Sequence, residues 1–282
     1  MRRNGKPSRL YLAGLLCVWM LPQPAVGQGG STWENYKNAG MDAFGQGNLA
    51  EAERLFKESL AEAAKPGQSN SHLITSLQLL GDFYLATVRL EEASNTYDLL
   101  LEKLTIIVGP DHPALAIPLR GLARIEQGKK QYAAAERLFR RALILVEEGS
   151  GNSHPDVASV CEDLAGLYVI EKRYSEAESL YRRALAIREQ AFGPDDPRLA
   201  ASLNNLAGVY LIQDNFTEAE PLYQKAVSVL ERTYGRENAN LVAVLANYSS
   251  LLRKAGRTAA ADELDGRVKA IRAKYAQSNP AR

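Results

Sequence analysis

The sequence predicts an all-α solenoid of stacked antiparallel helix pairs, and three observations carry that reading. The first is repetition: Leu164, Ala165, Tyr168, Tyr174, Ala177, Tyr181 and Ala184 return 42 residues later as Leu206, Ala207, Tyr210, Phe216, Ala219, Tyr223 and Ala226. A period of that size marks a supersecondary unit that cannot bury its apolar face alone and stacks on copies of itself. The second is spacing. Leu164, Ala165 and Tyr168 fall at i, i+1 and i+4, and Ala177, Tyr181 and Ala184 at i, i+4 and i+7, so each set lies on one face of a helix. The third is size: alanines let a second helix cross closely, and the aromatics at Tyr181 and Tyr223 fill the space they leave. Polar turns, Glu171 to Arg173 and Gln213 to Asn215, separate the two helices of each unit.

Further copies of the signature run in both directions along the chain. They are Ala39, Gly40, Ala52 and Phe56; Leu80, Gly81, Tyr84, Ala93 and Tyr97; Leu122, Ala123, Ala135, Phe139 and Ala142; and a degraded last copy, Tyr248, Ser249, Leu252 and Ala261. Six units result, near 33–66, 74–108, 116–150, 158–192, 200–234 and 242–276, counted as one domain. The pattern resembles the tetratricopeptide repeat, and the 42-residue period with the Gly193 to Pro197 connector is similar to the kinesin-light-chain type. That resemblance implies a right-handed solenoid whose inner surface is lined by the first helix of each unit, and a function in binding protein segments.

The chain begins with Arg2, Arg3, Lys6 and Arg9, then an apolar run from Leu10 to Leu21, then Ala25 and Gly27 in a small-x-small cleavage pattern. This reads as a secretory signal peptide, 1–27, followed by a short linker, 28–32. The run is shorter than the roughly 20 residues that cross a bilayer, so no membrane span is expected in the mature chain. Taking the four basic residues of the leader from the 34 in the chain leaves 30 against 33 acidic, a net charge of −3. Such a balance offers no electrostatic footprint for nucleic acid.

Element by element, Ser31 and Thr32 are placed to cap the first helix, and Trp33 to cover the exposed end of the stack. In the third unit Pro118 falls inside the expected first helix, which predicts a late start or a kink, and Glu126 replaces the tyrosine. Ser175 with Glu178 and Thr217 with Glu220 have the spacing of capping boxes for the second helices, with Pro221 at the edge of the first turn. His112 and His154 share a connector position with Asn70, Asp196 and Asn238, where a side-chain acceptor caps a helix and Pro113, Pro155 and Pro197 follow. The two histidines sit on successive units, roughly 16–20 Å apart at two helix-packing distances, too far to share a metal. Cys161, the lone cysteine after the leader, occupies the place of Tyr36, Leu77, Leu119, Leu203 and Leu245 and is expected to be a buried, inert thiol. In the last unit Asp265 stands where the others have Phe or Tyr, and Arg267, Lys269, Arg272 and Lys274 give the polar outer face of a terminal cap before a frayed tail at 277–282.

No phosphate loop, Cys-x-x-Cys, His-Glu-x-x-His or nucleophile elbow is present, so the expected function is non-enzymatic and needs no cofactor. It falls to the inner positions of the first helices: Lys37, Asn38 and Met41; Gln78 and Asp82; Arg120 and Arg124; Glu162 and Asp163; Asn204 and Asn205; Asn247 and Arg253. Asn38, Asn205 and Asn247 share one frame position, and asparagine grips a peptide backbone as donor and acceptor at once. Two readings stand for them, peptide binding and bonds between neighbouring helices. Two stand also for Arg120 and Arg124, receipt of a partner's carboxylate and pairing with Glu162 or Asp163 of the next unit. Asn38, Arg120, Arg124, Asn204, Asn205 and Asn247 are therefore the candidate site of an exported scaffold that takes a peptide or protein partner. The alternative is an assembly component of an envelope complex that works through its convex face or ends.

Overall fold

The computed structural model describes residues 31–278, and twelve α-helices fill most of that span, with no strand among the described residues. They come as six pairs: α1 (Thr32–Gly45) with α2 (Leu49–Ala63), α3 (Asn70–Ala86) with α4 (Leu90–Val108), α5 (Ala116–Gly128) with α6 (Tyr132–Ser150), α7 (Pro155–Ile170) with α8 (Tyr174–Phe192), α9 (Ala200–Ile212) with α10 (Phe216–Tyr234), and α11 (Leu241–Lys254) with α12 (Thr258–Ser278). The chain divides into two compact units, an N-terminal one through Gly193 with α1–α8 and a C-terminal one from Pro194 with α9–α12. Within each, every helix packs on the next. Successive first helices also touch directly, α3 with α5, α5 with α7 and α9 with α11, so these helices line the inner face of each stack.

The turn inside every pair is one device. A residue with φ between 55° and 77° follows the first helix, namely Gly47, Val88, Lys130, Lys172, Asp214 and Gly256. The next N–H then reaches back five residues, as in Arg89 to the Tyr84 carbonyl and Arg173 to the Tyr168 carbonyl, both 2.8 Å. This closes the first helix with an orphan carbonyl satisfied and throws the chain into the second. The second helices start at once, one or two residues before the expected boxes. Ser175 and Thr217 are therefore already helical, and the flanking residue is Arg173, with no side-chain cap, or Asn215, whose oxygen accepts from the Glu218 N–H at 3.4 Å. Pro221 consequently lies inside α10, where it removes the N–H that would serve the Thr217 carbonyl.

The core repeats with the sequence. Ala52, Ala93, Ala135, Ala177, Ala219 and Ala261 are fully buried, and Phe56, Tyr97, Phe139, Tyr181 and Tyr223 pack beside them. Cys161 is buried, and burial pushes its thiol up to about 11, so the inert form holds at neutral pH.

The connectors cap a helix as the sequence indicates at three of five positions, where His112 Nδ1 accepts from the Ala114 N–H, His154 Nδ1 from Asp156 and Asp196 from Arg198. At the fourth, Asn238 accepts from the Asn240 N–H in the turn ahead of α11, and Asn240, which flanks that helix, makes no side-chain cap. At the fifth, Ser69 rather than Asn70 is the cap, one residue earlier, because α3 already begins at Asn70. A 3-10 turn over Pro113–Leu115 delays α5 to Ala116, so Pro118 falls in its first turn without a kink. The same delay at Pro197–Leu199 before α9 shows that Pro118 is not required for it.

At the N-terminal end Ser31 and Glu34 form a capping box, but Trp33 does not lie over the outside of the stack. It turns inward, stacks on His72 with centroids 3.9 Å apart, and donates Nε1–H to Ser76 Oγ at 2.8 Å. A buried indole needs that acceptor, and Ser76 on α3 supplies it. At the other end α12 continues to Ser278, so Gln277 and Ser278 are helical rather than frayed. The leader, 1–27, and residues 279–282 of the tail lie outside the described residues.

Candidate functional site

The inner face of the N-terminal unit carries a half-buried charged floor. Arg120 and Arg124, one turn apart on α5, both reach Asp163 on α7, Arg120 Nε at 2.5 Å and Arg124 Nη2 at 2.7 Å. Of the two readings of these arginines, the structure shows the pairing with the next helix. Asp163 is only 11% exposed, and although burial opposes its charge, the two guanidiniums hold its carboxyl below the usual carboxylate range. Glu162 beside it is engaged from α8 by Arg188 at 2.7 Å, and Arg188 also donates to Ser159 Oγ at 3.3 Å. Arg188 was not a sequence candidate, because it comes from a second helix and only its length brings it inward. The Nε of Arg124 and of Arg188 meets no acceptor among the described residues, so neither guanidinium spends all its donors on the floor.

Asp82, one pair earlier, is half-buried beneath the Tyr97 hydroxyl, which donates to it, and desolvation pushes its carboxyl up against the opposing pull of Tyr97, Arg124 and Arg120. Asn38 and Met41 on α1 are half-buried, and Lys37 lies 4.9 Å over the Trp33 ring.

The C-terminal unit repeats the geometry with amides. Asn247 Nδ2 donates to Asn204 Oδ1 at 2.9 Å, across the same 43-residue step that joins Arg120 to Asp163. Asn205 sits half-buried beside them. Asn204 and Asn247 are thus tied to each other, while Arg253 is drawn to the far side by Asp262 and Asp265 at 2.8 and 2.7 Å. No helix among the described residues is long and apolar enough to cross a membrane.

A family profile described as tetratricopeptide repeat matches residues 71–148, 119–190, 156–216 and 198–274. The chain belongs to that family. Solved structures of similar fold include BtubC from P. vanneervenii, 19% identical, with a TM-score of 0.64 over 87% of this chain and 93% of that one. A Podospora anserina putative kinesin light chain with nearly identical TPR-like repeats is 23% identical, with a TM-score of 0.59 over 72% and 96%. A Rap protein complexed with competence and sporulation factor is 15% identical, with a TM-score of 0.61 over 87% and 76%. No curated protein sequence matches the chain.

Proposed function

We propose that this tetratricopeptide chain is a non-enzymatic exported scaffold that holds a peptide segment or partner protein along the inner faces of its first helices. The observation that carries the reading is the ladder of half-buried polar side chains at equivalent inner positions: Arg120 to Asp163 in one unit and Asn204 to Asn247 in the other. Each ladder fixes its members in place, the preorganised polar surface that an extended backbone laid across it needs. The Rap complex, a protein of similar fold bound to a named factor, is in keeping with that use. Export rests on the leader at 1–27, whose removal would be seen as a new N-terminus near residue 28.

The test separates the amides by role. Asn205→Ala removes a half-buried amide outside the Asn204–Asn247 bond. It is expected to weaken capture of a partner from envelope extract at unchanged melting temperature. Asn247→Ala also breaks a bond between helices and is expected to lower both. Capture untouched by either variant would sink the inner-face reading. It would favour assembly through the outer face, where Leu99 and Ile106 on α4 and Ile144 on α6 are exposed.

A further inference from the structure

On the outer side of the C-terminal unit, α10, α11 and α12 border a shallow, open recess of about 590 Å³. Val227 and Ser228 line the recess from α10, where the third repeat has Leu143 and Ile144 and the fourth has Leu185 and Ala186. The charge has changed at the same place: Arg232 and Arg236 stand where the third repeat has Glu148 and Asn152. The pair Glu231–Arg267, 2.5 Å, is conserved in kind as Glu147–Arg183, 2.6 Å, and is the structural part of the joint. The later copy thus differs by smaller side chains at 227 and 228, larger ones at Leu245 and Tyr248 where Cys161 and Leu164 stand, and guanidiniums at 232 and 236 against one lost at Gln224, the place of Arg140.

Of these two guanidiniums, Arg236 is the loosely held one. Arg236 is 75% exposed and its Nε lies 3.8 Å from the Glu231 carboxylate, which Arg267 already holds. Arg232 is half-exposed and leans out to Asp195, bonding the carboxylate at 2.8 Å and the carbonyl at 3.2 Å. Arg267 also donates to the Arg236 carbonyl at 3.1 Å, which ties the 235–240 loop to the wall of the recess. Within the lining, three guanidiniums face one carboxylate, above a floor of Val227, Leu245 and Leu264. Tyr248 closes one side, its hydroxyl donating to Glu220 at 2.8 Å.

We propose that this recess is a second docking site, separate from the inner face, for an acidic segment of a partner protein that sets an aliphatic side chain on the floor and carboxylates against Arg232 and Arg236. Charge complementarity decides the occupant. Planar forked guanidiniums take carboxylates two hydrogen bonds at a time, and the floor favours a ligand with an apolar body over a bare anion.

The test uses the full chain and a labelled short peptide of alternating Glu and Leu, read by fluorescence anisotropy against the same peptide with Gln for Glu. The Glu peptide is expected to bind about tenfold or more tightly than the Gln one, the effect of one or two charge-assisted hydrogen bonds. Arg236→Glu, at a position exposed enough to leave the fold alone, is expected to abolish that preference. Ser228→Ile, which restores the earlier repeat's residue, is expected to block binding while keeping the melting temperature. Equal binding of the two peptides, or no binding of either, overturns the proposal. So does full displacement of the Glu peptide by inorganic phosphate, which would make the recess a plain anion site. Binding lost on Asn205→Ala but kept on Arg236→Glu overturns it too, by moving the peptide to the inner face.

Discussion

The joint between the second and third pairs and the joint between the third and fourth are built from one repeat but held by different forces. At the later joint Glu136 on α6 accepts from Tyr168 Oη at 2.8 Å, from Arg173 at 3.0 Å and from Arg140 at 2.8 Å, and the Arg173 guanidinium lies 3.9 Å over the Tyr168 ring. Glu147–Arg183 and the two arginines on Asp163 add to it. At the earlier joint the equivalent residues are Ser94, Glu126, Gln131 and Thr105, and that clamp cannot form. An aromatic wedge stands instead: the fully buried ring of Tyr97 lies between Gly81 of its own pair and Gly121 of the next. The clamp recurs around Glu53 with Tyr84 and Arg89, and around Glu220 with Tyr248 and Arg257. A repeat protein can therefore exchange a polar fastening for an apolar one, joint by joint, without changing its helix geometry.

The strongest way to break the comparison is to fill the wedge. A Cβ on Gly121 would meet three carbons of the Tyr97 ring at 2.5–2.6 Å. The ring cannot retreat, because its hydroxyl is bound to Asp82 and it is about 1% exposed. Gly121→Val is expected to cost about 3 kcal/mol, the upper part of the overpacking range, seen as a drop of several degrees in melting temperature. The position 42 residues on is Asp163, which already carries a side chain, so Asp163→Val should cost through lost ion pairs instead. An unchanged melting temperature for Gly121→Val would mean that the earlier joint is not wedge-held.

The two joints should also respond oppositely to acid. Burial alone would raise the Glu136 carboxyl, but the bonds from Tyr168, Arg173 and Arg140 outweigh it and hold the group at about 2. A depressed folded value gives stability that is present above the ordinary glutamate value, about 4.5, and is lost as pH falls toward 2. That contribution is on the order of 2–3 kcal/mol, and Glu136→Gln should remove it together with its pH dependence. Asp82, pushed up by burial, has the opposite sign: the stability it gives is present at low pH and is lost as pH rises through its folded value. Urea unfolding of wild type, Glu136→Gln and Asp82→Asn across pH 2 to 6 checks both. A wild-type-minus-Glu136→Gln difference that stays flat below 4.5 would contradict the clamp.

How much of this was legible depends on which residues had to agree with themselves. The buried alanines and aromatics recur because each must fit the same crossing, and the core could be read from them directly. Glu136 and Glu220, and Arg89, Arg173 and Arg257, stand in the same register. Their partners come from neighbouring pairs, however, and a half-exposed Glu on a helix reads as a solvated face until its neighbour is in place. The displaced caps have a different cause. Ser175 and Thr217 have the right chemistry, but the five-residue hydrogen bond of the turn starts the helix before them. His72 lies outside the connector register of His112 and His154, and only the inward turn of Trp33 onto it gives it a role in the fold.

The smallest effect sharpens the same contrast at the turns. Val88 closes the second pair and Lys172 the fourth, with φ of 61° and 62°. A left-handed conformation costs any L-residue roughly 1–2 kcal/mol, and a β-branched one most, because both γ carbons crowd the following backbone. Val88 is 69% exposed, so it has little packing to set against that strain. Val88→Gly is accordingly expected to stabilise the chain by about 1 kcal/mol after the extra entropy of the unfolded glycine is charged. Lys172→Gly, relieving an unbranched residue, should gain less. If Val88→Gly instead destabilised, the valine would be making contacts that its exposure does not show, and the turn of the second pair would belong with the wedge below it rather than with the other turns.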